Sequence, residues 1–168
     1  MLKYNQYTDD YLIVPLRVMC LFDIEEWLPF LLAKSHQEAH SMMKDAVADF
    51  GLTPPQFATL AFLWKCDGFN QHELGCLMRV DRTTIGGIID RLEKLGYIRR
   101  EPDPQDRRSY VLFVTPRGKL VRDDILSSLE TVGSIIDGRL TREEQQQLYV
   151  LLRKFRMPNP KEEEKNDL

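Results

Sequence analysis

Four groups of side chains in this chain have types and spacings suited to chemistry. Arg82, Thr83 and Thr84 follow Asp81 at the start of an apolar-periodic run. A guanidinium, hydroxyls and unpaired backbone N–H groups in a helix's first turn can meet base edges in a major groove or hold a phosphate. Arg107 and Arg108 follow Asp106 at the end of the proline-broken, charged stretch Glu101 to Arg108. A planar cation suits the negative potential of a narrow minor groove, and Asp106 stands two residues before Arg108, where it can aim the guanidinium. His36 and His40 lie four apart beside an apolar stripe. They can hydrogen-bond a carboxylate or phenol, with Trp27, Phe30, Phe57 and Phe62 as aromatic walls. The same spacing suits zinc, but the third histidine, His72, belongs to a different segment, so no metal site is expected. Finally, Cys20, Cys66 and Cys76 are odd in number and lack metal-type spacing, which reads as buried small hydrophobes rather than a disulfide framework. No nucleophile–base pair appears at motif spacing, so neither catalysis nor a cofactor is expected.

These groups need elements to hold them. Asp81 is a good N-cap, and Ile85, Ile88, Ile89, Leu92 and Leu95 fall on one helical face that ends at Gly96. The opposite face, carrying Arg82, Thr83, Thr84 and Arg91, is left for a partner. The period then changes to two: Tyr97 to Arg100 and Ser109 to Val114 read as strands joined by a long charged tip. Upstream, Asn70 to Leu77 reads as a short helix with Leu74 and Leu77 inward, joined through Met78, Arg79 and Val80 to the Asp81 helix. Before it, Thr53 caps a helix opened by Pro54 and Pro55, with Phe57, Leu60, Ala61 and Leu63 or Trp64 as its buried stripe. Three helices followed by strand, tip and strand make a winged helix-turn-helix: a mainly α fold with a small β-wing.

Several stretches together resemble the MarR family of bacterial transcriptional regulators: Leu52-Thr53-Pro54-Pro55-Gln56-Phe57, Glu73-Leu74-Gly75, the Asp81 to Gly96 helix, and Asp103-Pro104-Gln105-Asp106-Arg107-Arg108 through Thr115-Pro116-Arg117-Gly118. The likeness runs over about residues 24 to 156. The spacing from Asp106 through Arg108 to Thr115 and Gly118 is its most specific part. The resemblance implies a homodimer joined through its N- and C-terminal helices, with recognition helices about 34 Å apart on a pseudo-palindromic operator of double-stranded DNA. It implies base or phosphate contacts from Arg82, Thr83 and Thr84, a phosphate contact from Arg91, and a wing contact from Arg107 and Arg108. Gly86 and Gly87 depart from the family pattern, where larger polar residues face the groove; two mid-helix glycines here point to close backbone approach to DNA or to a helix that firms on binding. Repression is expected, because a dimer on a promoter blocks polymerase without further parts. The resemblance also implies release by a small aromatic or phenolic acid or its coenzyme A thioester. In peroxide-sensing relatives a cysteine sits in a motif that here reads Leu28-Pro29-Phe30-Leu31-Leu32, with proline in its place, and Cys20 lies outside it. Redox or zinc control is therefore the alternative trigger, and a winged helix used only for protein binding the alternative class.

The flanks complete the domain reading. Residues 23–50 and 115–156 are long helical segments whose apolar residues exceed what one small reader needs, which suits dimerisation. Thr115-Pro116 opens a helix to about Gly138, and Thr141 to Glu144 is a capping box for a last helix reaching about Phe155. The reader itself spans 51–114. Residues 1–22 form an extension apolar enough to pack on a partner, and 157–168 a frayed polar tail. The chain has 168 residues, 43% of them hydrophobic, which suffices for a proper core. No eighteen-residue apolar run or signal pattern appears, so a cytoplasmic protein without a membrane partner is expected. The net charge of −3 looks wrong for a DNA binder until it is mapped. Between Arg79 and Arg122 basic residues outnumber acids by roughly five, and the remainder carries about −8. The positive field thus falls on the helix and wing.

Overall fold

In the computed structural model the described residues are 23–104 and 109–156. The chain divides into two compact units, 1–37 and 38–168. In the first, Asp23 Oδ1 accepts the Glu25 N–H at 3.0 Å and Trp27 N–H reaches the Ile24 carbonyl at 3.3 Å, so residues 23–27 form a turn rather than the start of a helix. Helix α1 (Leu28–Val47) then opens with Pro29 in its first turn, where a missing N–H costs nothing. The expected helix over 23–50 is therefore shorter at both ends. At its C-terminal end, in the second unit, a 3-10 turn (Ala48–Phe50) is closed by Gly51 at φ 67°.

The second unit continues with α2 (Pro54–Lys65), β1 (Phe69–Asn70), α3 (Gln71–Met78), α4 (Arg82–Lys94), β2 (Ile98–Pro102), β3 (Tyr110–Val114), α5 (Pro116–Arg139) and α6 (Arg142–Arg156). The sheet is antiparallel with order β1-β3-β2, Ile98 facing Val114 and Pro102 facing Tyr110. Strand β1 had no signature in the sequence, because two residues carry no alternation. It forms where Gly68 N–H reaches the Leu112 carbonyl at 2.9 Å and Phe69 pairs with Leu112. Strand β2 runs on through Glu101 and Pro102, beyond the expected end at Arg100. Strand β3 begins at Tyr110, one residue after the expected start at Ser109.

One core joins α2, α3, α4, the sheet and α5. Leu60 and Leu63 from α2, Leu74 from α3, Ile85, Ile88, Ile89 and Leu92 from α4, Ile98, Leu112 and Val114 from the sheet and Ile125 from α5 are all buried. Each such side chain contributes about 1.5–3 kcal/mol relative to exposure. Leu77 does not join them: it is 42% exposed, and Met78, four residues after Leu74 rather than three, packs against the core instead. Cys66 and Cys76 are exposed rather than buried. Cys66 ends α2 in extended backbone, and Cys76 lies on the outer face of α3 with its Sγ 3.8 Å from His72 Nε2.

The join between wing and α5 fixes the sheet against the helices. Thr115 Oγ1 donates to the Gly96 carbonyl at 2.6 Å and accepts the Gly118 N–H at 3.0 Å. Thr115 N–H donates to the Tyr97 carbonyl at 2.9 Å, and Trp64 Nε1 donates to the Gly118 carbonyl at 2.9 Å. A Cβ on Gly118 would stand 2.1 Å from the Tyr97 carbonyl oxygen, so no larger residue fits there. Tyr97 in turn donates its hydroxyl to the Phe50 carbonyl at 3.0 Å.

Candidate nucleic-acid interface

Helix α4 presents its apolar face to the core and leaves Asp81, Arg82, Thr83, Thr84, Gly87, Asp90, Arg91 and Lys94 exposed. Asp81 caps it fully. Its Oδ1 accepts the N–H groups of Thr83 and Thr84 at 2.9 Å each, and its Oδ2 accepts the Thr84 hydroxyl at 2.6 Å. The Thr84 hydroxyl bond, then the Thr84 N–H, hold the Asp81 carboxyl below its ordinary pKa. This corrects one expectation. The N–H groups of Thr83 and Thr84 are already occupied by a carboxylate, so the helix end is not an open phosphate cradle. Contact with a partner falls to side chains instead, with Thr84 committing its proton to Asp81 and keeping an acceptor and a methyl group.

Arg82 and Arg91 make no side-chain hydrogen bond or ion pair among the described residues, and both are exposed. The two glycines divide. A Cβ on Gly86 would lie 3.2 Å from Gln71 Nε2, and that amide donates to the Arg82 carbonyl at 2.9 Å, tying the start of α3 to the first turn of α4. Gly86 leaves room for this bridge. A Cβ on Gly87 would meet nothing within 4 Å. The turn between the helices is tight: Arg79 takes φ 53°, Val80 N–H reaches the Gly75 carbonyl at 3.1 Å, and a Cβ on Gly75 would lie 3.4 Å from the Val80 carbonyl oxygen.

Sequence reasoning passed over one residue. Arg100, on β2, bridges to Asp90 and Glu93 on α4, and its side chain is 28% exposed. Burial alone would lower its pKa; the hydrogen bond to Asp90 and the fields of Glu93 and Asp90 outweigh it and raise the value. Arg99, pointing the other way, pairs with Glu101 at 2.7 Å and stacks over Phe113. Several of the charges counted between Arg79 and Arg122 thus cancel internally, and Arg82, Arg91 and Lys94 carry the unpaired charge of α4. Only the acid pair three apart on a helix could have signalled Arg100, and a sequence does not say which of two adjacent arginines faces it.

Asp106, Arg107 and Arg108 lie outside the described residues, as does Cys20. A cleft of about 830 Å³ lies between α3, the start of α4 and the wing strands, lined by Gln71, His72, Arg79, Arg82, Arg100 and Tyr110 among others. A groove of about 420 Å³ runs between α1 and α5 past Met42, Asp45 and Ile135. The aromatic and histidine set is dispersed in the sequence and is placed as follows. In the first unit, Trp27 stands before α1, Phe30 is half-buried in its first turn under the Lys34 ammonium, and His36 is exposed. In the second unit His40 is exposed, while Phe57 and Phe62 are half-buried against the core, Phe57 edge-on to Trp64 at 6.3 Å. Neither cavity is lined by any of the six.

A capped helix with a free basic face, set beside a two-stranded wing and behind a tight helix-turn-helix, defines a winged-helix DNA reader. The MarR family model matches residues 52–110. The HTH-type transcriptional repressor NicR of Pseudomonas putida is 31% identical over 80% of this chain and 85% of that protein. Among solved structures, the repressor CouR bound to a 23-mer DNA duplex matches with a TM-score of 0.77 and 25% identity, covering 83% of this chain and 99% of that one. PcaV of Streptomyces coelicolor, in complex with its natural ligand, matches with a TM-score of 0.74 and 26% identity over 82% and 96% of the two chains. The chain belongs to the MarR family and is a DNA-binding transcriptional regulator of that type. No helix among the described residues is long and apolar enough to cross a membrane.

Proposed function

We propose that the chain acts as a homodimeric repressor of a pseudo-palindromic operator, released by a small aromatic or phenolic acid or its coenzyme A thioester. The observation that carries the DNA half is the outer face of α4, where Arg82, Thr83, Gly87 and Arg91 are exposed around a helix whose other face is wholly committed to the core. Arg82, Thr83 and Thr84 meet base edges or phosphates, Gly87 lets the backbone come close while Gly86 keeps room for the Gln71 bridge, and Arg91 reaches the phosphate backbone. Asp106 aims Arg107 and Arg108 into the adjacent minor groove. Residues 51–114 serve as the reader, and 23–50 with 115–156 as the dimerisation helices. Support for the dimer comes from apolar side chains left in water by one copy, among them Leu148, Leu151, Leu152 and Phe155 of α6. Repression is supported by the name of the relative NicR.

The ligand half is supported by the relative PcaV, solved in complex with its natural ligand. Duplexes enriched from a random pool by the purified protein, followed by anisotropy titration with aromatic acids, their thioesters and zinc, test both halves. A saturable loss of DNA binding and a matching rise in melting temperature with one aromatic acid support the reading. Release by zinc or peroxide alone would replace it.

A further inference from the structure

We infer that Arg100 is a positioning residue for DNA recognition: by bridging Asp90 and Glu93 it sets the wing strand β2 at a fixed angle to helix α4. The inference rests on the DNA-binding reading above. If α4 enters one groove and the wing tip the next, both contacts succeed only when the two elements hold one relative orientation. The polypeptide link between them, Leu95 to Tyr97, includes Gly96 at φ 75°, a position with wide backbone freedom. Something beyond that link has to fix the angle. Tyr97 and Thr115 anchor the base of the wing, and Arg100 acts three residues further out, where β2 passes the outer flank of α4. Its two ion pairs are made by a planar fork from a half-buried side chain, an arrangement that restricts rotation more than an exposed surface pair does. Arg100 also cancels two carboxylates on the helix that approaches DNA. Left alone, Asp90 and Glu93 would repel phosphates.

Charge cancellation and positioning can be separated. Arg100→Gln is compared with Arg100→Lys and with the triple variant Asp90→Asn, Glu93→Gln, Arg100→Gln, each checked for native circular dichroism. Binding is measured to a duplex enriched from a random pool by the unaltered protein, across a salt series, with Arg82→Gln as the variant that removes a direct contact. Arg100→Gln should weaken binding about tenfold or more while leaving the slope of log affinity against log salt unchanged, because no phosphate contact is lost. Arg82→Gln should lower that slope by about one for each half-site contact. Arg100→Lys, which keeps the charge but not the fork, should fall between the unaltered protein and Arg100→Gln, and the triple variant should stay weak. Full recovery of affinity in the triple variant would reduce Arg100 to charge cancellation and overturn positioning. So would a reduced slope in Arg100→Gln, which would make Arg100 a phosphate contact, or unchanged affinity. Failure of the unaltered protein to enrich any duplex would overturn the DNA reading and this inference with it.

Discussion

Gly87 sits in the middle of a helix, exposed, with open space where a side chain would go. Within the fold an alanine there would be better by about 1 kcal/mol, since glycine loses more backbone freedom on entering a helix. Gly87→Ala should therefore raise the melting temperature by about 2–4 °C and, if the bare backbone serves close approach to DNA, weaken operator binding. A rise in melting temperature with unchanged affinity would show that the glycine serves no contact. Asp81 gives a prediction with a pH signature. Its carboxyl is held below the ordinary value in the folded chain, so its contribution is present in full above the unfolded pKa of about 4 and lost as pH falls through the lower, folded value. The melting temperature of Asp81→Ala should lie below that of the unaltered protein at pH 7, and the gap should close in acid, as a scan of melting against pH would show. A constant gap at all pH values would mean the carboxylate's charge plays no part.

Elements were legible where a repeating pattern or a cap marked them. The α4 stripe from Ile85 to Leu92 and the capping box in which Thr141 N–H donates to Glu144 at 2.7 Å stand where sequence spacing placed them. What escaped the sequence depends on contacts between elements. β1 exists because β3 offers it an edge; Leu77 and Met78 exchange places because an eight-residue helix is oriented by its neighbours. The Gln71 bridge over Gly86 and the Arg100 bridge to α4 join residues that no periodicity connects. The Thr115 and Gly118 knot is intermediate: its residues were visible as a motif, but the 2.1 Å clearance to the Tyr97 carbonyl that makes glycine necessary was not. Gly118→Ala should cost about 1–3 kcal/mol or more by forcing α5 away from the wing base. Urea unfolding midpoints will check this; an unchanged midpoint would mean the join relaxes freely.

At the scale of the whole molecule, a net charge of −3 and a DNA-binding role are reconciled by where charges are spent. Arg99 and Arg100 are neutralised by neighbouring acids, which concentrates unpaired cations on the outer face of α4. If the apolar residues exposed on α6 meet a second copy as proposed, Leu151→Glu should shift the protein from dimer to monomer in sedimentation and abolish high-affinity binding to a two-half-site duplex. Retention of the dimer would move the interface elsewhere. The most direct test of the central claim is the salt dependence and stoichiometry of binding to a duplex enriched by the protein itself. Two chains per duplex, with affinity falling steeply and linearly in log salt, is the predicted result. No enrichment of any sequence, or binding indifferent to salt, would contradict it and point to a winged helix that binds protein instead.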